Sequence, residues 1–283
     1  MKFGMNLLLW TGDATGETYL PLFEKLKKMG FDGVEIPLFN MKPELYAALG
    51  RHLDNLGLQR TGVTVRGPED DPMSPDPKVR ALGVAHNKIA LDCCQAGGMT
   101  VLAGPYHSAI GLFSGKGPEK SEWDRAVDSA RELAGHAAAC GVTLAYEFLN
   151  RFECYLLNCA GDAVRFVQEV GHPSCRTMWD TFHAHIEEKN TADAIRTMAP
   201  VMAHVHISEN DRSTPGCGQV NWKTTFDTIL ATGYDGWMTV EAFGQSLPEL
   251  VAATKIWRRM YENEEKLAAD ALAFMKTEVE RRT

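Results

Sequence analysis

The chain has 283 residues, is 45% hydrophobic and 23% charged, and carries a formal net charge of −8. These proportions are ordinary for a globular enzyme, and the length suits one large domain or two small ones. The acidic balance argues against a nucleic-acid backbone as the main partner, because phosphate binding needs a basic surface, and no apolar run is long enough to span a bilayer.

The segment Met1–Asp13 has a short apolar stretch but no small-residue cleavage site, so it reads as a first buried strand rather than a signal peptide. That strand is expected near 3–9, with a helix near 17–29. A second strand and helix follow near 33–38 and 42–56, a third pair near 60–65 and 77–97, and a fourth near 99–104 and 121–140. The pattern repeats at 142–147 and 160–170, at 175–180 and 191–199, and at 202–207 and 222–232. A last strand near 237–241 leads into a helical region from about 248 to the end. Gly30, Gly57, Gly97, Gly141 and Gly171 sit where helices stop, as left-handed caps do. Eight strand–helix pairs without a linker predict one α/β domain over 1–283, a closed (β/α)8 barrel. No Gly-x-Gly-x-x-Gly follows the first strand, so a dinucleotide fold has little support.

Two connections are long, 66–77 and 104–118, and both leave the C-terminal face, where barrel enzymes place their chemistry. They are candidates for substrate walls or lids, and the second carries Tyr106, His107 and Phe113. The stretch Gly111–Lys116 is not a phosphate loop, because the spacing is one residue short and Gly117 stands where Ser or Thr is required. The seven cysteines, with no paired C-x-x-C unit, suggest reduced thiols in a cytoplasmic protein.

Four polar side chains end four successive strand-like runs: Glu147, Asp180, His206 and Glu241. On one barrel mouth they form an oxygen-rich set that suits Mn2+, Co2+ or Mg2+ better than a structural zinc. Glu153, His183 and Arg212 follow closely in sequence and could grip the hydroxyls of a polyhydroxylated ligand. His204, two residues before His206, shares its side of the strand and is expected one layer deeper. His107 is a candidate substrate contact, and Trp10 a candidate aromatic wall under a sugar.

The stretches E-x-x-N-R-F-E (147–153), D-T-F-H-x-x-I-E-E (180–188), H-x-S-E-N-D-R (206–212), P-G-x-G (215–218) and E-x-F (241–243) resemble the ketose 3-epimerase family. That family includes the D-tagatose, D-psicose and L-ribulose 3-epimerases and lies within the xylose-isomerase-like barrels. The match is strong over about residues 142–275. The resemblance implies that Glu147, Asp180, His206 and Glu241 bind one divalent ion, Mn2+ or Co2+ before Mg2+. It implies that Glu147 and Glu241 are also the two acid–bases of C3 epimerisation through a metal-stabilised enediolate. Glu153, His183 and Arg212 match substrate-contacting positions, and Phe243 matches an apolar wall. The resemblance further implies a homodimer or homotetramer. A free ketose is expected, since a barrel phosphate site uses Gly-rich loops after strands seven and eight. Rival readings are aldose–ketose or hydroxypyruvate isomerisation, inosose dehydration, an endonuclease for abasic DNA, and a binding protein without turnover.

Overall fold

The computed structural model describes residues 1–282. Eight parallel strands close into a barrel in sequence order. They are β1 (Lys2–Asn6), β2 (Gly33–Pro37), β3 (Gln59–Val63), β4 (Val101–Gly104), β5 (Thr143–Glu147), β6 (Cys175–Asp180), β7 (Met202–Ile207) and β8 (Trp237–Val240). The outer helices are α1 (Leu20–Met29), α2 (Pro43–Leu56), α3 (Pro77–Gly97), α4 (Lys120–Cys140), α5 (Ala160–Val170), α6 (Thr181–Glu187), α7 (Thr191–Met198), α8 (Trp222–Ala231), α9 (Pro248–Thr254) and α10 (Glu264–Glu280). The expected (β/α)8 barrel is the observed architecture. Among the described residues, no helix is long and apolar enough to cross a membrane.

Local chemistry explains the main boundaries. Proline opens α2 and α3, where its missing N–H costs nothing. The Asp76 side chain caps α3 by accepting the Lys78 N–H at 2.8 Å. The cap at the other end of α3 is Gly98, at φ 71°, and not Gly97. Gly97 serves a different need: a Cβ on the facing Gly50 would lie 2.8 Å from the Gly97 carbonyl oxygen, so α2 and α3 meet backbone to backbone there.

Three further expectations are corrected. The first strand stops at Asn6, whose side chain accepts the Leu8 N–H at 2.8 Å and turns the chain into a 3-10 turn, Leu7–Leu9. The short helix α6 was not anticipated; it starts directly on Asp180. The last helical region divides into α9 and α10, separated by Lys255 at φ 62° and the loop beyond it.

The barrel interior has two characters. Val101, Ala103, Ala145 and Met178 form an apolar cluster on the β4–β6 side. A polar network fills the opposite side. There Glu35 of β2 accepts from Asn6 Nδ2 at 2.9 Å and Thr61 Oγ1 at 2.9 Å. Its two oxygens also meet His206 Nε2 at 2.7 Å and His204 Nε2 at 2.8 Å. Strand register brings the mouth together from there, since Asp180 pairs directly with His206 and His206 with Thr239, two residues before Glu241.

Candidate active site

At the C-terminal mouth, one ligand atom each from Glu147, Asp180, His206 and Glu241 lies within 4.8 Å of the others, and all four residues are buried. His206 Nδ1 is 3.3 Å from Glu241 Oε1, 3.6 Å from Asp180 Oδ2 and 4.0 Å from Glu147 Oε1. Ligand atoms about 2.1 Å from a shared ion are roughly 3.0–3.5 Å apart, so small side-chain adjustments close this set around a metal. Glu147 Oε1, Asp180 Oδ2 and His206 Nδ1 are buried without a hydrogen-bond partner. Orphaned buried acceptors are costly, and three converging on one point fit a cation there.

Asp180, His206 and Glu241 are each held by their other end. Asp180 Oδ1 accepts the Phe182 and His183 N–H groups at 2.6 and 3.0 Å, capping α6 and leaving Oδ2 aimed inward. His206 is fixed through Nε2 by Glu35, the carboxylate–histidine arrangement that sets an imidazole ligand's tautomer and aim. Glu35 was not among the residues singled out from sequence. Its signal is a lone carboxylate inside the apolar run Gly33–Pro37, which is buried throughout. His204 lies one layer deeper on the same carboxylate, as its spacing suggested.

Burial alone would raise Glu35, but His206 and His204 outweigh it and hold the carboxylate well below its ordinary range. Burial raises Glu147 well above the usual value, and the Glu241 charge adds to this. Burial would raise Glu241 as well, yet His206 and Arg212 pull it down to about 2. Burial and then the Arg212 charge lower His183 to about 3, so its imidazole is neutral.

Arg212 takes the left-handed conformation, φ 62°, which is rare for a side-chain-bearing residue and marks a constrained site. Its guanidinium lies 3.7 Å from the Phe182 ring centroid and 5.0 Å from that of Phe243. It donates to Glu241 Oε2 and, at 3.2 Å, to Ser208 Oγ. Its Nη2 is 2.9 Å from His183 Nε2. The Asn150 N–H donates to His183 Nδ1 at 2.9 Å, which leaves the imidazole proton on Nε2. Two donors thus face one another and invite an acceptor oxygen.

These groups floor a pocket. Glu147, Glu153, His183, Arg212 and Glu241 form its polar side. Leu8, Val63, Val65, Pro105, Ile110, Phe243 and Leu250 form its apolar side. Pro105 and Ile110 come from the 104–118 loop, which is pinned to the 66–77 loop by the Ile110 N–H on the Arg66 carbonyl at 3.0 Å. Arg66 is itself buried and bonded to Asn87, Asp70 and Thr64. The 104–118 loop thus supplies part of the wall, and the 66–77 loop, which lends no lining residue, braces it from behind.

Three candidate substrate contacts lie outside the pocket lining. Trp10 packs against the main core, because the 3-10 turn after β1 swings it away and presents Leu8 instead. His107 is buried behind the mouth, with Nε2 2.9 Å from the Glu147 carbonyl and Nδ1 2.9 Å from Ser108 Oγ, so it steadies the end of β5. Phe113 sits on the surface against Tyr155. Glu209, within the H-x-S-E-N-D-R stretch, is fully buried. It accepts from the Gly216 and Val220 N–H groups and Trp222 Nε1 at 2.8, 3.0 and 2.9 Å. That explains the P-G-x-G stretch: a Cβ on Gly218 would lie 2.6 Å from the Glu209 side chain.

A family model described as the xylose isomerase-like TIM barrel matches residues 23–278. A D-psicose 3-epimerase of Ruminiclostridium cellulolyticum is 32% identical over 264 residues, covering 91% of this chain and 89% of that protein. The chain belongs to the ketose 3-epimerase family of the xylose isomerase-like TIM barrels. It is an enzyme of the epimerase, and so isomerase, class. The crystal structure of a D-psicose 3-epimerase with D-tagatose from Clostridium cellulolyticum H10 superposes with a TM-score of 0.91 at 31% identity, covering 99% of both chains. The structure of an L-ribulose 3-epimerase gives a TM-score of 0.93 at 28% identity, covering 99% of this chain and 95% of that one.

Proposed function

We propose that this chain is a single-domain, divalent-metal-dependent epimerase that inverts C3 of a free ketose, with Glu147 and Glu241 as its two acid–bases. The observation that carries the reading is the convergence of three orphaned buried atoms with Glu241 on the floor of a pocket whose remaining polar groups suit hydroxyls. Glu147, Asp180, His206 and Glu241 would hold the ion, with Mn2+ or Co2+ favoured over Mg2+ by the imidazole in the set. When bound, the ion supplies Lewis-acid stabilisation of the charge that develops on the ketone oxygen as the neighbouring C–H proton leaves.

The side chains do the rest. One glutamate carboxylate takes the C3 proton, and the other, reaching in from across the mouth, returns a proton to the opposite face. His183 Nε2 and Arg212 Nη2 both donate to a substrate oxygen that lies beside the pair, at the mouth of the pocket. Glu153, whose Oε1 accepts from Asn150 Nδ2 at 2.8 Å, also accepts a hydrogen bond from a substrate hydroxyl. Phe243, Ile110 and the other apolar residues exclude water and cover the carbon chain. Arg212 is the one cation among the described lining residues and is already committed to Glu241, which favours a free sugar over a sugar phosphate. The exposed Leu112, Phe113 and Phe152, on loops joined by the Gly111 N–H and the Glu153 carbonyl, support a homodimer or homotetramer. The free thiols support the cytoplasm.

The test is turnover of free ketoses in heavy water with added Mn2+. Deuterium should enter at C3 of the epimer and, through reversal, of recovered substrate. Label at C1 or C2 alone, with an aldose as product, would replace epimerisation by isomerisation. Arg212→Ala should raise KM about 10- to 100-fold, since a hydrogen bond to a charged group is worth roughly 1.5–3 kcal/mol. Unchanged kinetics would remove Arg212 from the binding pocket.

A further inference from the structure

A second cluster of metal-ligating side chains lies on the outside of the barrel, in the seam between α3 and α4. Asp92 projects from α3; His136 and Cys140 project from α4, four residues apart and therefore on one helical face. Asp92 Oδ1 is 2.7 Å from His136 Nε2 and 3.8 Å from Cys140 Sγ, and one ligand atom from each residue lies within 4.8 Å of the others. Asp92 and His136 are 44% and 31% exposed at the side chain, so an ion can reach them from solvent. The thiol is free. All three residues sit toward the C-terminal ends of their helices, α4 ending at Cys140 itself. Helix C-termini lie at the end of the barrel opposite the mouth, and their partial negative charge favours a cation.

The arrangement does not suit a nucleophile. In an activated cysteine the base contacts the sulfur directly. Here the carboxylate stands between imidazole and thiol. Burial, with the neighbouring Asp92 charge, also raises the Cys140 thiol above its ordinary value. A metal changes that balance by displacing the thiol proton, releasing one H+ as the sulfur–metal bond forms. Zinc bonds to sulfur are about 2.3 Å, and those to imidazole nitrogen and carboxylate oxygen about 2.0–2.2 Å, so tetrahedral ligand atoms lie roughly 3.3–3.7 Å apart. The observed pair distances of 2.7 and 3.8 Å bracket that range.

We propose that Asp92, His136 and Cys140 form a second divalent-cation site of the zinc class, with a water as fourth ligand, clipping α3 to α4. The mouth cluster contains no sulfur, so the two sites select differently: carboxylate-rich for hard ions there, thiolate and imidazole for borderline-soft ions here.

The test uses the full chain loaded with excess Co2+ and read by absorption. Thiolate ligation gives a sulfur-to-cobalt charge-transfer band in the near ultraviolet, which the oxygen- and nitrogen-only mouth cannot produce. The wild type should show the band, Zn2+ should bleach it, and Cys140→Ser and His136→Ala should each abolish it. Cys140→Ser should also bind one equivalent less zinc while keeping its activity and melting as a folded protein. Absence of the band in the wild type overturns the site. So does its survival in Cys140→Ser, where another thiol such as the exposed Cys217 would be the ligand, or in His136→Ala, where the imidazole would be no ligand at all. The band needs no turnover, so it stands or falls separately from the epimerase reading.

Discussion

Glu147→Gln and Glu241→Gln should each lower kcat for C3 epimerisation by about a thousandfold or more, within the range that loss of a positioned acid–base produces. Inversion needs a base on one face and an acid on the other, so neither residue can cover for its partner. The two variants should differ in a second assay. Each retains one carboxylate, so each can still exchange the C3 proton with heavy water from the face that carboxylate serves, without inversion. The face that keeps exchanging assigns each glutamate to its side. Both residues belong to the candidate metal cluster, so metal content must be measured alongside. Full epimerisation by either variant with metal bound would sink the two-base mechanism.

Removing the metal should abolish activity, with Mn2+ or Co2+ restoring it. The chelated chain should also melt at a lower temperature. Glu147, Asp180 and Glu241 converge on a buried point where only His206 and Arg212 oppose their charge, and unpaired buried charge destabilises. An ion present at a hundredfold its Kd stabilises by about 2.7 kcal/mol. His206→Ala should lower metal affinity most, as the set has no other nitrogen. Glu35→Gln should lower it by about 10- to 100-fold, the usual effect of loosening a ligand's hydrogen-bonded support. A chain verified free of metal that turns over at full rate would remove the ion from the reaction.

The eightfold alternation and the four strand-end groups were legible in the linear order of residues. Both are local signals: a short apolar run, a polar residue at its end, then a helix. Glu147, Asp180, His206 and Glu241 stand out because each closes such a run, and the barrel's closure brings them to one mouth. Tertiary structure decided everything that depends on register or on where a loop aims its side chains. Glu35 belongs to β2, far in sequence from His206, and only strand pairing around the closed barrel carries it beneath that imidazole. Trp10 and Leu8 exchange places because Asn6 caps a 3-10 turn that a strand pattern does not reveal. His107 turns inward because its loop is pinned to the end of β5. Arg212 reaches the pocket through a left-handed backbone angle that no propensity of arginine predicts. The Asp92–His136–Cys140 cluster was equally hidden, because two helix faces define it jointly and the spacing within either helix is ordinary. Side-chain direction along an element follows from its period, whereas contact between elements follows from packing, which closes only in three dimensions.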